Sequence, residues 1–263
     1  MDINISEGII LLTNLTPRCL GLIRELYSQK LCATIQSMNK NILVVFTTAL
    51  TFIVNSLAGA TTWIGGVDTK YISDMNPTSF TPKPYVFSIW GVIYLGILAY
   101  NIYLFQNSPS EKQKDRVILS NILNIAWIFA WQYGYIHLAL LLIVGLLVTL
   151  LSVVYENFEI KMDLSSKVYW LRRIPFEIYG AWICVATIAN SAISIKSILN
   201  SGTKIVCIKA PCVPAVTLLG LNEMTWAYIM IAVAVLLGLY MTVKYKAWPF
   251  IIVVAWAVYG ILF

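Results

Sequence analysis

The chain has 263 residues, of which 59% are hydrophobic and only 11% are charged, and its net charge is +6. A soluble domain of this length needs far more charge on its surface, so the composition excludes an ordinary globular protein and predicts a polytopic membrane protein. Membrane topology and attraction to anionic lipid explain the positive charge without a nucleic-acid partner. The partner that the composition itself predicts is the lipid bilayer.

Seven apolar segments approach the roughly 20 residues that a helix needs to cross the hydrocarbon core. These predicted spans are residues 42–64, 85–105, 117–135, 138–155, 174–194, 225–243 and 247–263. Only Ile136 and His137 separate the third span from the fourth, so these two helices are expected to be tightly antiparallel. The predicted fold class is an all-α polytopic membrane helix bundle.

Lys and Arg residues are divided unequally between the two sides of this topology. The N-terminal tail and the loops after the second, fourth and sixth spans hold thirteen of them, against five on the opposite side. Cytoplasmic loops are enriched in these residues, so we expect the N-terminus inside and the C-terminus outside. The sequence does not indicate which membrane the protein occupies.

The segments outside the spans differ in character. Residues 1–41 form a more polar N-terminal tail, which could be an interfacial helix, a targeting segment or a mispredicted start. Residues 65–84 are rich in Gly and Pro and predict either an ordered lid or a flexible flap. The loop 195–224 holds Cys207 and Cys212, which could close a small disulfide or remain free thiols.

Three predicted spans carry aromatic and amide side chains at helical spacing. The three stripes are Phe87, Trp90 and Tyr94; Asn124, Trp127 and Trp131; and Trp182, Ala186 and Asn190. Members of each stripe are separated by three, four, seven or eight residues, so each stripe lies on one face of its helix. An amide side chain that faced lipid at this depth would be energetically costly, so the stripes predict a pocket inside the bundle.

A depth estimate brings the stripes together. At a rise of about 1.5 Å per residue, Trp90 and Trp131 reach the outer half of the membrane beneath residues 65–84. Trp63, at the outer end of the first span, reaches the same level. In such a pocket Trp and Tyr rings would stack on a flat ligand while the Asn amides hydrogen-bond its edge. The alternative is that the aromatics only pack and the amides only join helices.

The stripes also carry a family resemblance. Residues 82–94, Pro-Lys-Pro-Tyr-Val-Phe-Ser-Ile-Trp-Gly-Val-Ile-Tyr, resemble the second-helix pattern of the TspO/MBR family of tryptophan-rich sensory proteins and translocator proteins. Residues 123–127 are similar to its Leu-Asn-x-x-Trp pattern, and residues 182–190 to its Trp-x-x-Phe-Ala-x-x-Leu-Asn pattern. Val185 stands where that family has an aromatic residue. The resemblance covers roughly residues 42–194.

The resemblance implies a five-helix bundle over residues 42–194 that binds tetrapyrroles or sterols in a pocket closed by the first loop. Residues 225–263 would then be two additional transmembrane helices of a longer branch. No cofactor is required, although a porphyrin, haem or sterol would be a bound ligand of a sensor, chaperone or transporter. The depth estimate and the stripes name the candidate ligand-binding residues Trp63, Phe87, Trp90, Tyr94, Asn124, Trp127, Trp131, Trp182, Ala186 and Asn190.

Motifs for catalysis and for metal binding are missing from the sequence. It contains no nucleophile elbow, P-loop or zinc-protease motif, and it has a single His. We therefore expect neither an enzyme nor a metal site, with an enzyme acting on a bound tetrapyrrole as the weaker option. The main alternative function is a small-solute transporter or channel, although the duplicated halves of many transporters are not visible.

Two further features concern helix packing. Glu177 lies four residues after Arg173, so an ion pair at the inner interface explains this acid more simply than a functional role does. The small residues Gly134, Gly145 and Gly180 would allow close approach of a second copy, which makes a homodimer a candidate assembly.

Overall fold

Helices form the framework of the computed structural model, which describes residues 17–75, 78–80, 82–107, 109–200 and 221–262. In this part of the chain the helices are α1 (Pro17–Ala60), α2 (Thr69–Met75), α3 (Ile89–Gln106), α4 (Glu111–Gln132), α5 (Ile136–Asn157), α6 (Ile174–Asn200), α7 (Glu223–Tyr245) and α8 (Trp248–Leu262). A 3-10 turn, Pro84–Ser88, leads into α3, and a π turn, Tyr169–Arg173, leads into α6. The predicted all-α fold class is confirmed. Cys207 and Cys212 lie outside the described residues, so their disulfide stays a prediction.

Each of the seven predicted spans coincides with a helix, but the helices differ in length and polarity. Among the described residues five segments are long and apolar enough to cross a membrane: Gln36–Ala60, Pro84–Phe105, Ile136–Asn157, Tyr169–Ile198 and Met224–Tyr245. The last helix, α8, is apolar but has only 15 residues. Helix α4 is not among the five, because its first turns carry charged residues and its buried face carries amides. A multi-pass membrane bundle is consistent with these helices.

The first helix extends well beyond the predicted span. Helix α1 begins at Pro17 and continues without a break into the first span. The described part of the predicted N-terminal tail, residues 17–41, is therefore continuous with the membrane helix rather than separate from it. No Gly or Pro occurs between Gly21 and Gly59, so nothing in the local sequence ends the helix where its composition becomes polar.

The turn between α4 and α5 differs from the predicted one. It consists of residues 133–135, whereas the predicted pair Ile136 and His137 forms the first turn of α5. Gly134 adopts a φ of 72°, the left-handed conformation that glycine adopts most readily. His137 places its Nδ1 2.7 Å from the hydroxyl oxygen of Ser194 on α6, so it joins two helices.

Five helices form a closed ring. Helix α4 packs between α1 and α5, α6 packs against α5 and α3, and α3 returns to α1. Helix α8 lies outside this ring against α6 and the 3-10 turn, and α7 packs mainly against α8. The interior of the bundle therefore lies between α1, α3, α4, α5 and α6, while α7 and α8 enlarge one side of the bundle.

The glycines named above are used within one copy of the chain. A Cβ at Gly145 would lie 3.7 Å from the Leu123 side chain, and one at Gly180 would lie 3.2 Å from Val154. Both glycines thus allow neighbouring helices of the same bundle to approach, and Gly134 belongs to a turn. These three glycines therefore do not support contact with a second copy of the chain. The homodimer stays a prediction.

Ion pairs gather at one end of the bundle, which we call the charged end. Lys40 on α1 approaches Asp115 on α4 to 2.8 Å, and Lys114 approaches Glu111 to 2.7 Å. The hydrogen bond from the Lys114 ammonium lowers the pKa of the Glu111 carboxyl below its ordinary value. The opposite end carries residues 61–75 and 82–88 and is called the lid end.

The predicted pair of Arg173 and Glu177 is present and buried. Nε of Arg173 donates to Oε1 of Glu177 at 2.6 Å, and the two residues are only 2% and 0% exposed. Nη2 of Arg173 also donates to the carbonyl oxygen of Tyr245 at 2.6 Å, at the end of α7. The pair therefore ties α7 to the five-helix ring, in agreement with the structural role expected from the i, i+4 spacing.

Candidate ligand-binding cavity

Two chambers lie near the lid end of the ring, and the larger is open toward the outside of the bundle, where its lining residues Phe52, Ser56 and Gly91 are exposed. The larger has a volume of about 460 Å³ and lies between α1, α3 and α4. The smaller has about 60 Å³ and lies between α3, α4, α6 and the residues that precede α3. Phe87, Trp90 and Trp127 line both chambers, as does Thr69 of α2. Trp90 and Trp127 thus form much of the wall between them.

Aromatic contacts hold this wall in place. The Trp90 ring stacks on Tyr94, one turn later on α3, with a centroid distance of 5.6 Å, and on Trp127 of α4 at 6.2 Å. Tyr179 and Trp182 of α6 meet the same indole edge-on at 6.0 and 6.3 Å. Each such pair contributes about 0.5–1.5 kcal/mol beyond the area it buries. Three helices therefore fix the position of one indole.

Eight of the ten candidate ligand-binding residues line one or both chambers. They are Phe87, Trp90, Tyr94, Trp127, Trp131, Trp182, Ala186 and Asn190. The stripes on α3, α4 and α6 do converge near the lid end, where the depth estimate placed them. Trp63 and Asn124 are the two candidates that do not line a chamber.

Trp63 points away from the cavity. Its side chain is 80% exposed, and it lines neither chamber. The depth estimate treated it as part of the first span, but α1 ends at Ala60 and Trp63 lies in the turn that follows. A helical rise does not apply beyond the last helical residue, so the expected position of Trp63 was wrong.

Asn124 is buried against other helices instead of facing a ligand. Its Nδ2 donates to the Tyr179 hydroxyl at 2.7 Å, and its Oδ1 accepts from Nδ2 of Asn55 at 2.7 Å. Both ends of the amide are therefore satisfied within the protein. Asn124 joins α1, α4 and α6, which is the role that the packing alternative proposed for the amides.

Asn190 occupies an intermediate position. It lines the smaller chamber, yet its Oδ1 accepts from Nε1 of Trp127 at 3.3 Å and its Nδ2 donates to the carbonyl of Ala186 at 2.9 Å. The amide thus orients the Trp127 indole from the side of the chamber. A ligand in the smaller chamber would meet an amide that is already held in one orientation.

Two buried donors in the chamber walls have no partner among the described residues. They are the hydroxyl of Tyr94, in the larger chamber, and Nε1 of Trp182, in the smaller one. Leaving a buried donor unpaired typically costs about 1–3 kcal/mol. Both atoms are covered by their surroundings, so an acceptor atom on a bound molecule could reach them only after the neighbouring wall residues shift.

Several lining residues were not among the candidates. Helix α1 contributes Phe52, Asn55, Ser56 and Gly59 to the larger chamber, and the short helix α2 contributes Thr69. The small residues of α1 were interpreted as sites of close helix packing, with only Asn55 considered for the pocket. Small residues on a helix allow either close packing or an empty space beside the helix. The position of the neighbouring helix decides which of these two occurs.

The segment 61–75, which we call the lid segment, is fastened to the end of α4. Nε2 of Gln132 donates to the carbonyl oxygens of Val67 at 2.9 Å and Ile64 at 3.4 Å. Nε1 of Trp131 lies 3.4 Å from the carbonyl oxygen of Thr69. Thr69 also lines both chambers, so this part of the predicted lid or flap lies beside the cavity.

The chamber walls are apolar and uncharged. Among the described residues that line the two chambers, none is Asp, Glu, His, Lys or Arg. The described residues also contain no group of three His, Cys, Asp or Glu side chains that could hold a metal ion. The walls therefore offer aromatic faces and neutral hydrogen-bond donors, which suits a flat and largely apolar molecule.

Fold and cavity together define a class of protein: a multi-pass membrane helix bundle with an uncharged aromatic cavity between the helices of a five-helix ring, next to the lid segment. A model of the TSPO-like protein family matches residues 41–263, and the chain belongs to this family. Comparison with curated proteins and with solved structures gave no match.

The extent of the family match corrects one expectation from the sequence. We expected the resemblance to end near residue 194 and the last two helices to be additional to it. The match continues through residues 195–263, so α7 and α8 lie within the family pattern. The expected end near residue 194 was based on the three motifs alone, and the last of them ends at residue 190.

Proposed function

We propose that this TSPO-like protein binds a flat, largely apolar molecule of the tetrapyrrole or sterol class in the aromatic cavity, as a sensor, chaperone or transporter of that molecule. The observation that carries the proposal is the larger chamber, whose volume of about 460 Å³ lies within the range of roughly 300–1,000 Å³ that is typical of small-molecule sites. Family membership supports the same function.

The chemistry of the walls supports a ligand with a planar or slab-like shape. The larger chamber is lined by rings from α1, from the 3-10 turn and from α3, namely Phe52, Phe87, Trp90 and Tyr94. Flat apolar molecules gain most from such walls, because a ring face provides a large rigid contact area.

Charge restricts how a ligand can lie in the cavity. No described lining residue carries a charge that could neutralise a carboxylate, and an unpaired buried charge is strongly disfavoured. We infer that an acidic ligand such as a porphyrin dicarboxylate keeps its acid groups at the opening and inserts only its ring system. We also propose a binding role without catalysis, because the walls provide no paired acid and base.

Gly91 offers a sharp test of the cavity. It lines the larger chamber, and a Cβ at this position would meet no atom within 4 Å. Gly91 is exposed, so Gly91→Phe places a ring at the open side of the chamber without a clash near the backbone. We expect protoporphyrin, titrated into the purified protein and followed by Trp fluorescence, to bind at least about tenfold more weakly, a difference of about 1.4 kcal/mol.

Matched variants show whether the effect belongs to the chamber. Gly91→Ala should bind as the wild type does, and so should Trp63→Phe, because Trp63 lies outside both chambers. A fluorescent sterol in the same titrations separates the two ligand classes. Wild-type affinity in Gly91→Phe would refute the site. Flux of a charged solute in liposomes, with no binding of either probe, would support the small-solute transporter instead.

A further inference from the structure

A second apolar space lies outside the five-helix ring, between α3, α6 and α8. This groove has a volume of about 340 Å³ and is lined by Val92, Ile178 and Ile252 among others. Val92 and Ile252 are 54% and 55% exposed, so the groove opens on the side of the bundle that faces lipid. It shares no described lining residue with the two chambers.

Two tryptophans of α8 frame the groove and are held in fixed orientations. Nε1 of Trp248 donates to the hydroxyl of Tyr169 at 2.6 Å, and Nε1 of Trp256 donates to the carbonyl oxygen of Val86 at 3.1 Å. Eight residues separate the two indoles, which corresponds to about 12 Å along the helix. The groove is thus a preformed apolar slot whose long direction follows α8 across the membrane.

A lysine stands beside the opening of this slot at the charged end. Lys246 caps α7 with a φ of 55° and a ψ of 32°, a left-handed position that glycine usually occupies. Its side chain is exposed. It precedes Trp248 by two residues, so the two Cα atoms are at most about 7 Å apart. A lysine at a position that favours glycine points to a role for the ammonium group.

The same opening lies at the level of the membrane interface. Trp170 is exposed and packs edge-on against Trp248 with a centroid distance of 6.3 Å. Exposed tryptophans at helix ends mark the headgroup level of a bilayer. The distribution of Lys and Arg predicts that this end faces the cytoplasm, where the leaflet is rich in anionic lipid.

We propose that the groove and Lys246 form a binding site for one anionic glycerophospholipid. An acyl chain occupies the slot between Trp248 and Trp256, and the Lys246 ammonium contacts the headgroup phosphate. The apolar slot supplies affinity for any acyl chain, while the ammonium supplies the preference for a negatively charged headgroup. This site is separate from the aromatic cavity and does not depend on the function proposed for it.

The test compares two lipids that differ only in headgroup. The purified full-length protein is titrated with phosphatidylglycerol and with phosphatidylcholine of identical chains, and retained lipid is counted by native mass spectrometry. We expect the wild type to retain phosphatidylglycerol preferentially. Lys246→Gln should reduce this preference about fivefold, the contribution of one basic residue at an anionic surface. Lys112→Gln, which removes an exposed lysine at the same end of the bundle, is the matched control.

Two further variants separate the slot from the charge and exclude misfolding as an explanation. Val92→Trp fills the groove and should reduce retention of both lipids about tenfold, with no change in their ratio. Lys246→Gly should raise the melting temperature by relieving the left-handed residue, yet lose the headgroup preference as Lys246→Gln does. The proposal is overturned if either Lys246 variant keeps the wild-type preference for phosphatidylglycerol. It is also overturned if Lys112→Gln reduces that preference as much as Lys246→Gln does, or if Val92→Trp retains both lipids as the wild type does.

Discussion

The attachment of the lid segment can be tested at a single glycine. Gly65 adopts a φ of 73°, and a Cβ at this position would lie 2.5 Å from the carbonyl oxygen of Gln132. That oxygen belongs to the backbone of α4, so it cannot rotate away as the end of a flexible side chain could. Gly65→Ala must therefore displace the lid segment from the end of α4 or distort the backbone.

The expected cost has two parts. A left-handed conformation costs an L-residue about 1–2 kcal/mol relative to glycine. Displacing the lid segment also weakens the hydrogen bond from Gln132 to Val67, and a net hydrogen bond contributes about 0.5–1.5 kcal/mol. We expect Gly65→Ala to destabilise the protein by about 2–4 kcal/mol in total, from these two parts and the close contact itself.

The neighbouring glycine provides the matched control. Gly66 has a φ of 77°, but a Cβ there would meet no atom within 4 Å. Gly66→Ala therefore carries only the conformational cost of about 1–2 kcal/mol. The difference between the two variants isolates the contact between Gly65 and the α4 backbone.

Thermal unfolding in detergent, together with hydrogen exchange of the lid amides, measures both variants. We expect faster exchange across residues 67–75 in Gly65→Ala than in Gly66→Ala, and weaker ligand binding in the first variant alone. Equal stability and equal exchange in the two variants would refute the conclusion that the lid segment is held against the end of α4.

Two other predictions concern buried polar groups in the bundle. Asn124→Leu removes the hydrogen bonds that this amide makes with Asn55 on α1 and Tyr179 on α6 and should cost about 1–2 kcal/mol. Asn101→Leu should be neutral or stabilising, because neither polar atom of Asn101 has a partner among the described residues. Thermal melts in which Asn101→Leu is the less stable of the two variants would contradict this reasoning. Arg173→Met leaves Glu177 buried without its partner and should cost about 3–5 kcal/mol, while the double variant with Glu177→Leu should recover most of that loss. Additive losses in the double variant would show that the two groups do not act as a pair.

Local spacing was sufficient to find most of the cavity. Trp90 and Tyr94 are one helical turn apart, and so are Trp182 and Ala186, so their shared faces follow from helix geometry alone. Residue spacing does not show where a helix ends, and for this reason Trp63 was placed in the pocket although α1 ends before it.

Contacts between distant parts of the chain determine the roles of the two Asn residues, which residue spacing alone does not distinguish. Asn124 and Asn190 occupy comparable places in their stripes, yet one is buried between helices and the other lines a chamber. The difference comes from their partners, since Asn55 and Tyr179 lie beside Asn124 and use both ends of its amide. No local pattern predicts which neighbour a side chain meets across 55 or 69 residues of sequence.

The sequence by itself determined the membrane class, the helices, their aromatic faces and the family, because hydropathy and helical periodicity are properties of neighbouring residues. Only the tertiary structure decided that α1, α3, α4, α5 and α6 close into a ring, with α7 and α8 outside it. It also decided that Trp90 divides the enclosed space into two chambers. Cavities arise where packed helices fail to fill the space between them, and that depends on the relative positions of several helices at once.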